Sequence, residues 1–181
     1  MLVDLAIETA LKFHAGRQRK GTVVPYVVHP LAVGIILAGA GCSDQVIAAG
    51  ILHDTLEDTP ITVDEIQDMF GHKVASLVVA CSEPDKSLPW AIRKQDFIAS
   101  MKNAPLDVRV ITCADKLHNL RSMVRDLEAL GDDLWKRFNR GREEQAWYYE
   151  KLAEILCKRC DQGKYGWLFQ NLKEEVERLF G

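Results

Sequence analysis

Three carboxylates and one imidazole occupy six consecutive positions in the segment His53-Asp54-Thr55-Leu56-Glu57-Asp58. The segment follows the apolar run from Val46 to Leu52, so His53 and Asp54 are badly placed for a merely solvated surface. Carboxylates this close repel one another and raise each other's pKa unless a cation neutralises them. The alternative is a solvated acidic helix end, but acidic side chains there oppose the helix dipole. The segment therefore predicts a bound divalent metal ion.

Two further residues have side chains that can complete a coordination shell. His29 lies at the start of a predicted helix, and Asp115 interrupts the apolar run from Val108 to Ala114. Either residue taken alone is more often structural than metal-ligating. Together with His53 and Asp54 they form a mixed nitrogen and oxygen set, which suits Mn²⁺, Fe²⁺ or Zn²⁺ and excludes all-thiolate chemistry.

A short basic segment precedes these residues, since Arg17, Arg19 and Lys20 fall within four positions. Arginine binds phosphate through two parallel hydrogen bonds, whereas lysine supplies a compact charge; the alternative is a solvated basic loop. The whole sequence has 23 Lys and Arg against 26 Asp and Glu, a net charge of −3. Without an extended basic face, this balance argues against nucleic-acid binding as the main activity.

Helical periodicity recurs along nearly the whole chain, and the alternation typical of strands is hard to find. We predict an all-α fold, a compact helical bundle that forms a single domain over residues 1–181. Ser43 is a predicted N-cap, and Thr62 with Glu65 has capping-box spacing. Apolar spacing and helix-ending residues predict helices at about 2–13, 30–40, 44–57, 63–71, 72–82, 90–103, 106–130, 142–160 and 167–180.

Five cysteines are spread thinly through the chain, and two of them, Cys157 and Cys160, form a C-x-x-C pair. No second pair stands at zinc-finger spacing, so we interpret Cys157 and Cys160 as small packed side chains. The odd count and the absence of a signal peptide favour reduced thiols in the cytoplasm. The longest apolar stretches reach about half the roughly 20 residues of a membrane helix, so we expect no membrane partner.

Five ordered motifs carry a resemblance to a known family. They are His14-Ala15-Gly16-Arg17-Gln18-Arg19-Lys20-Gly21, PYVVHP at 25–30, HDTLEDT at 53–59, FGHKV at 70–74 and ADKLHNLRSM at 114–123. His29, His53–Asp54 and Asp115 match the H…HD…D signature of the HD phosphohydrolase superfamily. The longer pattern closely resembles the hydrolase domain of RelA/SpoT proteins and the stand-alone small alarmone hydrolases, including the metazoan SpoT homologues, over residues 5–155.

The resemblance implies a metal-dependent hydrolase with the helical bundle of the HD phosphohydrolases. Its implied substrates are guanosine tetra- and pentaphosphate, hydrolysed at the 3′ position to GDP or GTP and pyrophosphate. The metal, for which Mn²⁺ is the family's usual ion, is then bound by His29, His53, Asp54 and Asp115.

The same resemblance implies roles for residues around the metal. Glu57 and Asp58 would orient or deprotonate the attacking water and assist proton transfer. The implied substrate contacts are Arg19, Lys20, Asn119 and Tyr149. Arg17 is not among these contacts, because the family often has Gln at that position. For Tyr149 the alternative is an ordinary core tyrosine.

Two other functions stay open on the sequence. One is an HD phosphohydrolase that acts on another nucleotide or phosphorylated metabolite, and the other is a non-catalytic alarmone-binding regulatory module. The intact metal set and the Glu57–Asp58 pair argue against the second. Because the chain ends at Gly181, with no room for a synthetase domain, we expect hydrolysis without synthesis. A homo-oligomer also stays open, since no heptad seam is long enough to assign an interface.

Overall fold

The computed structural model of the protein describes residues 1–83, 87–158 and 163–181. Within these ranges the chain forms ten α-helices, one 3-10 helix and an isolated β-bridge between Gln18 and Pro25, but no strand, which confirms the all-α prediction. The α-helices are α1 (Leu2–Phe13), α2 (Val28–Gly39), α3 (Asp44–Leu52), α4 (Thr55–Asp58), α5 (Val63–Phe70), α6 (His72–Cys81), α7 (Trp90–Met101), α8 (Leu106–Leu130), α9 (Arg142–Cys157) and α10 (Gly166–Phe180), with the 3-10 helix at Gly131–Arg137.

The helices group into two compact units. The first consists of Met1–Pro84 with Pro105–Asp115, and the second of Asp85–Ala104 with Lys116–Gly181. In the first unit α3 packs against α1, α2 and α6, and α5 packs against α6. In the second unit α9 packs against α7 and α10. The single domain expected from the sequence therefore stays a prediction.

The helix α3 lies at the centre of the first unit's core, because every residue from Val46 to Leu52 is buried. On α2, Gly34 permits a close approach to α3, since a Cβ there would lie only 2.6 Å from Ile51 Cγ1. Burial of this apolar run contributes roughly 25 cal/mol for each Å² removed from water. The run ends at His53, so the packing of α3 carries this imidazole into the protein interior.

The single helix predicted from Asp44 to Glu57 is wrong at one junction. The structure ends α3 at Leu52 and begins α4 at Thr55, while Asp54 adopts φ −91° and ψ −6°, in the bridge region between helix and turn. Side chains compete for backbone carbonyls there: His53 Nδ1 donates to the carbonyl of Gly50 at 2.7 Å, and Thr55 Oγ1 to that of Leu52 at 2.6 Å.

Two predicted helix caps differ in their contacts. Thr62 and Glu65 form the predicted capping box, in which the Thr62 N–H donates to Glu65 Oε2 at 2.8 Å and the Glu65 N–H donates to Thr62 Oγ1 at 3.2 Å. Ser43 occupies the N-cap position of α3, but its side chain makes no capping hydrogen bond within the described part of the chain. The cap position was thus predictable at both sites, but the stabilising bond at only one.

The C-x-x-C pair is described only in part. Cys157 is the last residue of α9, and its Sγ donates to the carbonyl of Phe169 at 3.4 Å. Cys160 lies outside the described residues. Among the helices that the structure describes, none has both the length and the apolar character that a membrane span requires.

The two caps predict a difference in stability. We expect Thr62→Ala to lower the free energy of unfolding by about 1 kcal/mol, because α5 loses the acceptor for an otherwise unpaired N–H. Ser43→Ala, the matched control, should change it by less than about 0.5 kcal/mol. Urea denaturation followed by circular dichroism measures both values, and equal losses in the two variants would contradict the assigned role of the capping box.

Candidate functional site

The four residues predicted as metal ligands lie together in the first unit. His29 Nε2 is 3.1 Å from Asp115 Oδ1 and 3.6 Å from Asp54 Oδ2. His53 Nε2 is 3.1 Å from Asp54 Oδ2 and 3.7 Å from Asp115 Oδ1. One ligand atom each from His29, His53 and Asp115 lies within 4.8 Å of the other two. We call these four residues the His/Asp cluster.

Separate helical elements bring the cluster together. His29 lies in the first turn of α2, where Pro30 is tolerated because no N–H is needed there. The other members come from the junction of α3 with α4 and from the buried face of α8. The two imidazole rings meet edge to face with centroids 5.1 Å apart. Their side chains are 1% and 3% exposed, whereas that of Asp54 is 19% exposed.

Burial and charge together set the protonation of this cluster. Burial lowers the pKa of His29. Burial also disfavours a charged His53, but the carboxylates of Asp54 and Asp115 outweigh it and raise the pKa of His53 well above its usual value. Burial alone would raise the pKa of Asp54, yet the adjacent His53 and His29 hold that pKa below its ordinary range. The two carboxylates therefore require a positive charge at this point.

The residues present fit a divalent cation. His53 Nε2 is buried and makes no hydrogen bond to any described residue, although carboxylate oxygens lie 3.1 and 3.7 Å away. Because its Nδ1 donates to the carbonyl of Gly50, the ring presents Nε2 as the coordinating nitrogen, as is usual for ligating histidines. A divalent cation here would balance the charge of both carboxylates.

The acidic pair that follows the cluster lies on α4, and each side chain has a partner outside that helix. Glu57 Oε1 accepts a hydrogen bond of 2.9 Å from the backbone N–H of Glu83. Arg17 Nη1 donates to the backbone carbonyl of Asp58, and Arg17 Nη2 lies 3.7 Å from Asp58 Oδ1. These contacts orient both carboxylates. Arg17 was not predicted to take part, because the family often has Gln at its position.

The basic segment forms a folded loop, which we call the basic loop and define as residues 14–26. Its two sides are joined by hydrogen bonds from the Arg19 N–H to the carbonyl of Val24 at 2.8 Å and from the Tyr26 N–H to that of Arg17 at 2.9 Å. Gly21, at φ +71°, supports the turn with a conformation that other residues rarely adopt. The loop thereby brings the guanidinium groups of Arg17 and Arg19 to 5.6 and 6.0 Å from the Tyr26 ring.

The predicted substrate residues are divided between the two units. Arg19 and Lys20 lie in the basic loop of the first unit, whereas Asn119 and Tyr149 belong to the second. Asn119 lies one helical turn beyond the cluster residue of α8. Tyr149 is 8% exposed and stacks on Phe180 with ring centroids 6.0 Å apart, which supports a packing role for its ring. Substrate contact by these residues stays a prediction.

Two residues beside the cluster, Tyr26 and His14, were not predicted from the sequence. The Tyr26 hydroxyl donates to Asp54 Oδ2, and its ring lies 4.9 Å from that of His14. His14 is 2% exposed, and neither ring nitrogen has a hydrogen-bond partner among the described residues. Burial and the charge of Arg17 lower the pKa of His14, although Asp54 opposes them. Both residues belong to the quoted motifs, but no spacing rule pointed to their contacts.

A separate cavity of about 310 Å³ lies in the first unit. The residues that line it are Val3, Ile7, Leu31, Gly34, Ile35, Ala38, Ile47 and Ile51. A nucleotide site needs convergent polar groups, and this lining has no polar side chain. We therefore place the chemistry at the His/Asp cluster.

The helices hold two buried imidazoles and two carboxylates around one point, and this donor set suits a divalent metal ion. The chain belongs to the HD domain family, since the family model described as HD domain matches residues 6–145. This match confirms the resemblance seen in the five sequence motifs.

The chain covers very different fractions of its curated relatives. The mouse (Mus musculus) guanosine-3′,5′-bis(diphosphate) 3′-pyrophosphohydrolase MESH1 is 36% identical over 181 residues, covering 99% of this chain and 92% of the relative. A probable guanosine-3′,5′-bis(diphosphate) 3′-pyrophosphohydrolase from Synechocystis is 36% identical over 94% of this chain. The chain spans only 22% of that Synechocystis protein and 14% of a GTP pyrophosphokinase from Streptomyces coelicolor.

Solved structures share the fold. The Listeria monocytogenes protein lmo0812 is 34% identical with a TM-score of 0.76, covering 84% of this chain and 98% of its own. A metazoan orthologue of SpoT, described as hydrolysing ppGpp, is 27% identical with a TM-score of 0.79, covering 98% of this chain and 94% of its own. The helical frame described above is therefore that of known HD-domain proteins.

The buried His14 predicts a pH-dependent stability. A histidine whose folded pKa lies below the unfolded value of 6.5 opposes folding as the pH falls through that value, because the unfolded chain binds the extra proton. We expect His14→Phe to gain stability relative to the wild type below about pH 6.5, by up to about 1.4 kcal/mol per pH unit.

This difference in stability is measured by urea denaturation of the wild type and of His14→Phe, both treated with a chelator, between about pH 7.5 and pH 5. Any fixed offset between the two proteins reports the altered packing of the larger ring. A difference that does not change with pH would show that the pKa of His14 is not lowered.

Proposed function

We propose that this protein hydrolyses guanosine tetra- and pentaphosphate at the 3′ position, releasing pyrophosphate and GDP or GTP, in a reaction that depends on a divalent metal. The observation that carries this proposal is the His/Asp cluster, in which the carboxylates of Asp54 and Asp115 face two buried imidazoles. The substrate class is supported by the mouse relative, which is named for this reaction and aligns with 99% of the chain.

We assign metal binding to His29, His53, Asp54 and Asp115, and we propose Mn²⁺ as the ion because the motifs resemble those of the SpoT-type hydrolases. A bound divalent cation lowers the pKa of water from about 15.7 towards about 7 and offsets negative charge on a phosphoryl oxygen. The protein's own contribution is orientation: the Gly50 carbonyl directs His53 Nε2 inward, and burial keeps the imidazoles in place.

Glu57 and Asp58 are the proposed catalytic pair. Hydrolysis forms a bond from the water oxygen to the phosphorus on the 3′ oxygen, breaks the bond between that phosphorus and the 3′ oxygen, and moves a proton to the leaving oxygen. Glu57 accepts the water's proton with a carboxylate that the Glu83 N–H orients. Asp58, held by Arg17, assists the proton's passage to the leaving oxygen.

The substrate's phosphates require local positive charge, because the protein as a whole carries a net charge of −3. We propose that Arg19 and Lys20 of the basic loop bind these phosphates, with the arginine fork and the lysine ammonium suited to phosphate oxygens. Asn119 is the proposed nucleotide contact, whereas we assign Tyr149, which stacks on Phe180, to the protein core.

We further propose that residues 1–181 act as a single HD hydrolase domain in the cytoplasm. The family model supports the single domain, because its match at residues 6–145 includes parts of both compact units. The cytoplasmic assignment rests on the five scattered cysteines, which fit a reducing compartment.

The activity assay uses purified protein, guanosine tetraphosphate and Mn²⁺, with products resolved by anion-exchange chromatography. We expect equal amounts of GDP and pyrophosphate, with release abolished by chelator and by Asp54→Ala. Asp68→Ala, which removes an exposed carboxylate on α5, is the matched control and should keep the activity. Metal-loaded protein without turnover would contradict the proposed substrate, and tight nucleotide binding without turnover would favour a regulatory module.

The proposed proton acceptor is tested by Glu57→Gln. Glutamine keeps an oxygen that accepts from the Glu83 N–H but cannot take a proton, so we expect turnover to fall by about 10²–10⁴. Mn²⁺ affinity, measured by calorimetry, should stay unchanged, as should all properties of the surface control Glu8→Gln. A wild-type rate in Glu57→Gln would mean that Glu57 is structural.

A further inference from the structure

We propose that Tyr26 is a positioning residue for the metal centre. Its hydroxyl holds the Asp54 carboxylate in the orientation that binds the metal, and its ring connects that carboxylate to the basic loop. This inference rests on the proposed function, because it assumes that the His/Asp cluster binds a divalent cation.

The hydroxyl meets the oxygen of Asp54 that faces the cluster. Tyr26 donates to Asp54 Oδ2, and the same oxygen lies 3.1 Å from His53 Nε2 and 3.6 Å from His29 Nε2. A carboxylate oxygen has two lone pairs, so it can accept from the phenol and still bind a cation. The hydrogen bond therefore holds Oδ2 beside the two imidazoles and leaves a lone pair of this oxygen for a cation.

Of the four cluster residues, Asp54 depends most on a hydrogen bond to fix the orientation of its side chain. Its side chain is 19% exposed, against 9% for Asp115 and 1% for His29. It also lies at the junction of α3 with α4, where Asp54 is the N-cap residue of a helix of only four residues. Packing therefore restrains this carboxylate less than the other ligands, and a hydrogen bond from a fixed donor has more to contribute.

The donor itself is held on several sides. The Tyr26 ring lies 4.9 Å from the ring of His14 and meets His29 edge to face at 6.1 Å. The guanidinium groups of Arg17 and Arg19 lie 5.6 and 6.0 Å from its centroid, within the range of cation–π attraction. Since its backbone is also bonded to Arg17, the hydroxyl cannot swing away from Asp54 without breaking these contacts.

Two substitutions separate the hydroxyl from the ring. Tyr26→Phe removes only the hydrogen bond, so we expect Mn²⁺ affinity to fall about 10–100-fold, the usual cost of losing a hydrogen bond to a metal ligand. Its KM for guanosine tetraphosphate at saturating Mn²⁺ should stay near the wild-type value, and kcat should recover. Tyr26→Leu also removes the surface under the two arginines, so its KM should rise about two- to fivefold.

The experiment is calorimetric titration of the metal-free protein, residues 1–181, with Mn²⁺, followed by kinetics at saturating Mn²⁺. Tyr165→Phe, which removes a phenol hydroxyl from the other compact unit, is the matched control and should bind Mn²⁺ like the wild type. Melting temperatures of the metal-free proteins check folding. For a destabilised variant, the Mn²⁺-dependent shift in melting temperature still reports the affinity.

Each outcome decides a different point. Wild-type Mn²⁺ affinity in Tyr26→Phe, or a loss of activity that saturating Mn²⁺ does not restore, would overturn the positioning role and leave the proposed function intact. A wild-type protein that binds no Mn²⁺ would overturn the proposed function and this inference with it. Weaker binding in Tyr26→Phe alone, with kcat restored by Mn²⁺, supports the role.

Discussion

Two carboxylates, Asp54 and Asp115, face the same two buried imidazoles, and the surrounding structure depends on how their charge is balanced. Coulomb repulsion between buried carboxylates is strong because little water screens it. The same carboxylates raise the pKa of His53 above its usual value, because they favour a positive charge beside them. A divalent cation meets the same demand with two charges, which is why the cluster fits a metal centre better than a structural ion pair.

The core of the first unit holds the cluster's side chains rigidly, as the balance between their charges requires. The buried run from Val46 to Leu52 fixes the position of His53 in the protein interior. The chain then leaves helical geometry at Asp54 before α4 begins. Thr55 Oγ1 stabilises the break by bonding the carbonyl of Leu52. Because of this local interruption, the imidazole and the carboxylate of neighbouring residues both reach the same point, and the acidic pair of α4 follows directly.

The basic loop and the metal centre form one connected structure through Tyr26. The loop carries the positive charge of Arg17, Arg19 and Lys20, the cluster carries the negative charge of its carboxylates, and the Tyr26 ring contacts both. The guanidinium groups of Arg17 and Arg19 lie over the ring of Tyr26, and the Tyr26 hydroxyl donates a hydrogen bond to Asp54. This arrangement keeps opposite charges close without letting the arginines neutralise the cluster's carboxylates.

Sequence patterns by themselves determined the all-α class, nearly all helix positions, the Thr62–Glu65 capping box and the four members of the cluster. Periodicity, caps and motif order report local preferences and family membership, which is why those predictions were within reach. Tertiary structure alone decided the break at His53–Asp54, the pairing of Arg17 with Asp58 and the bond from Tyr26 to Asp54. Each of these depends on side chains competing for partners that only the folded chain brings within reach, and no periodicity encodes that competition.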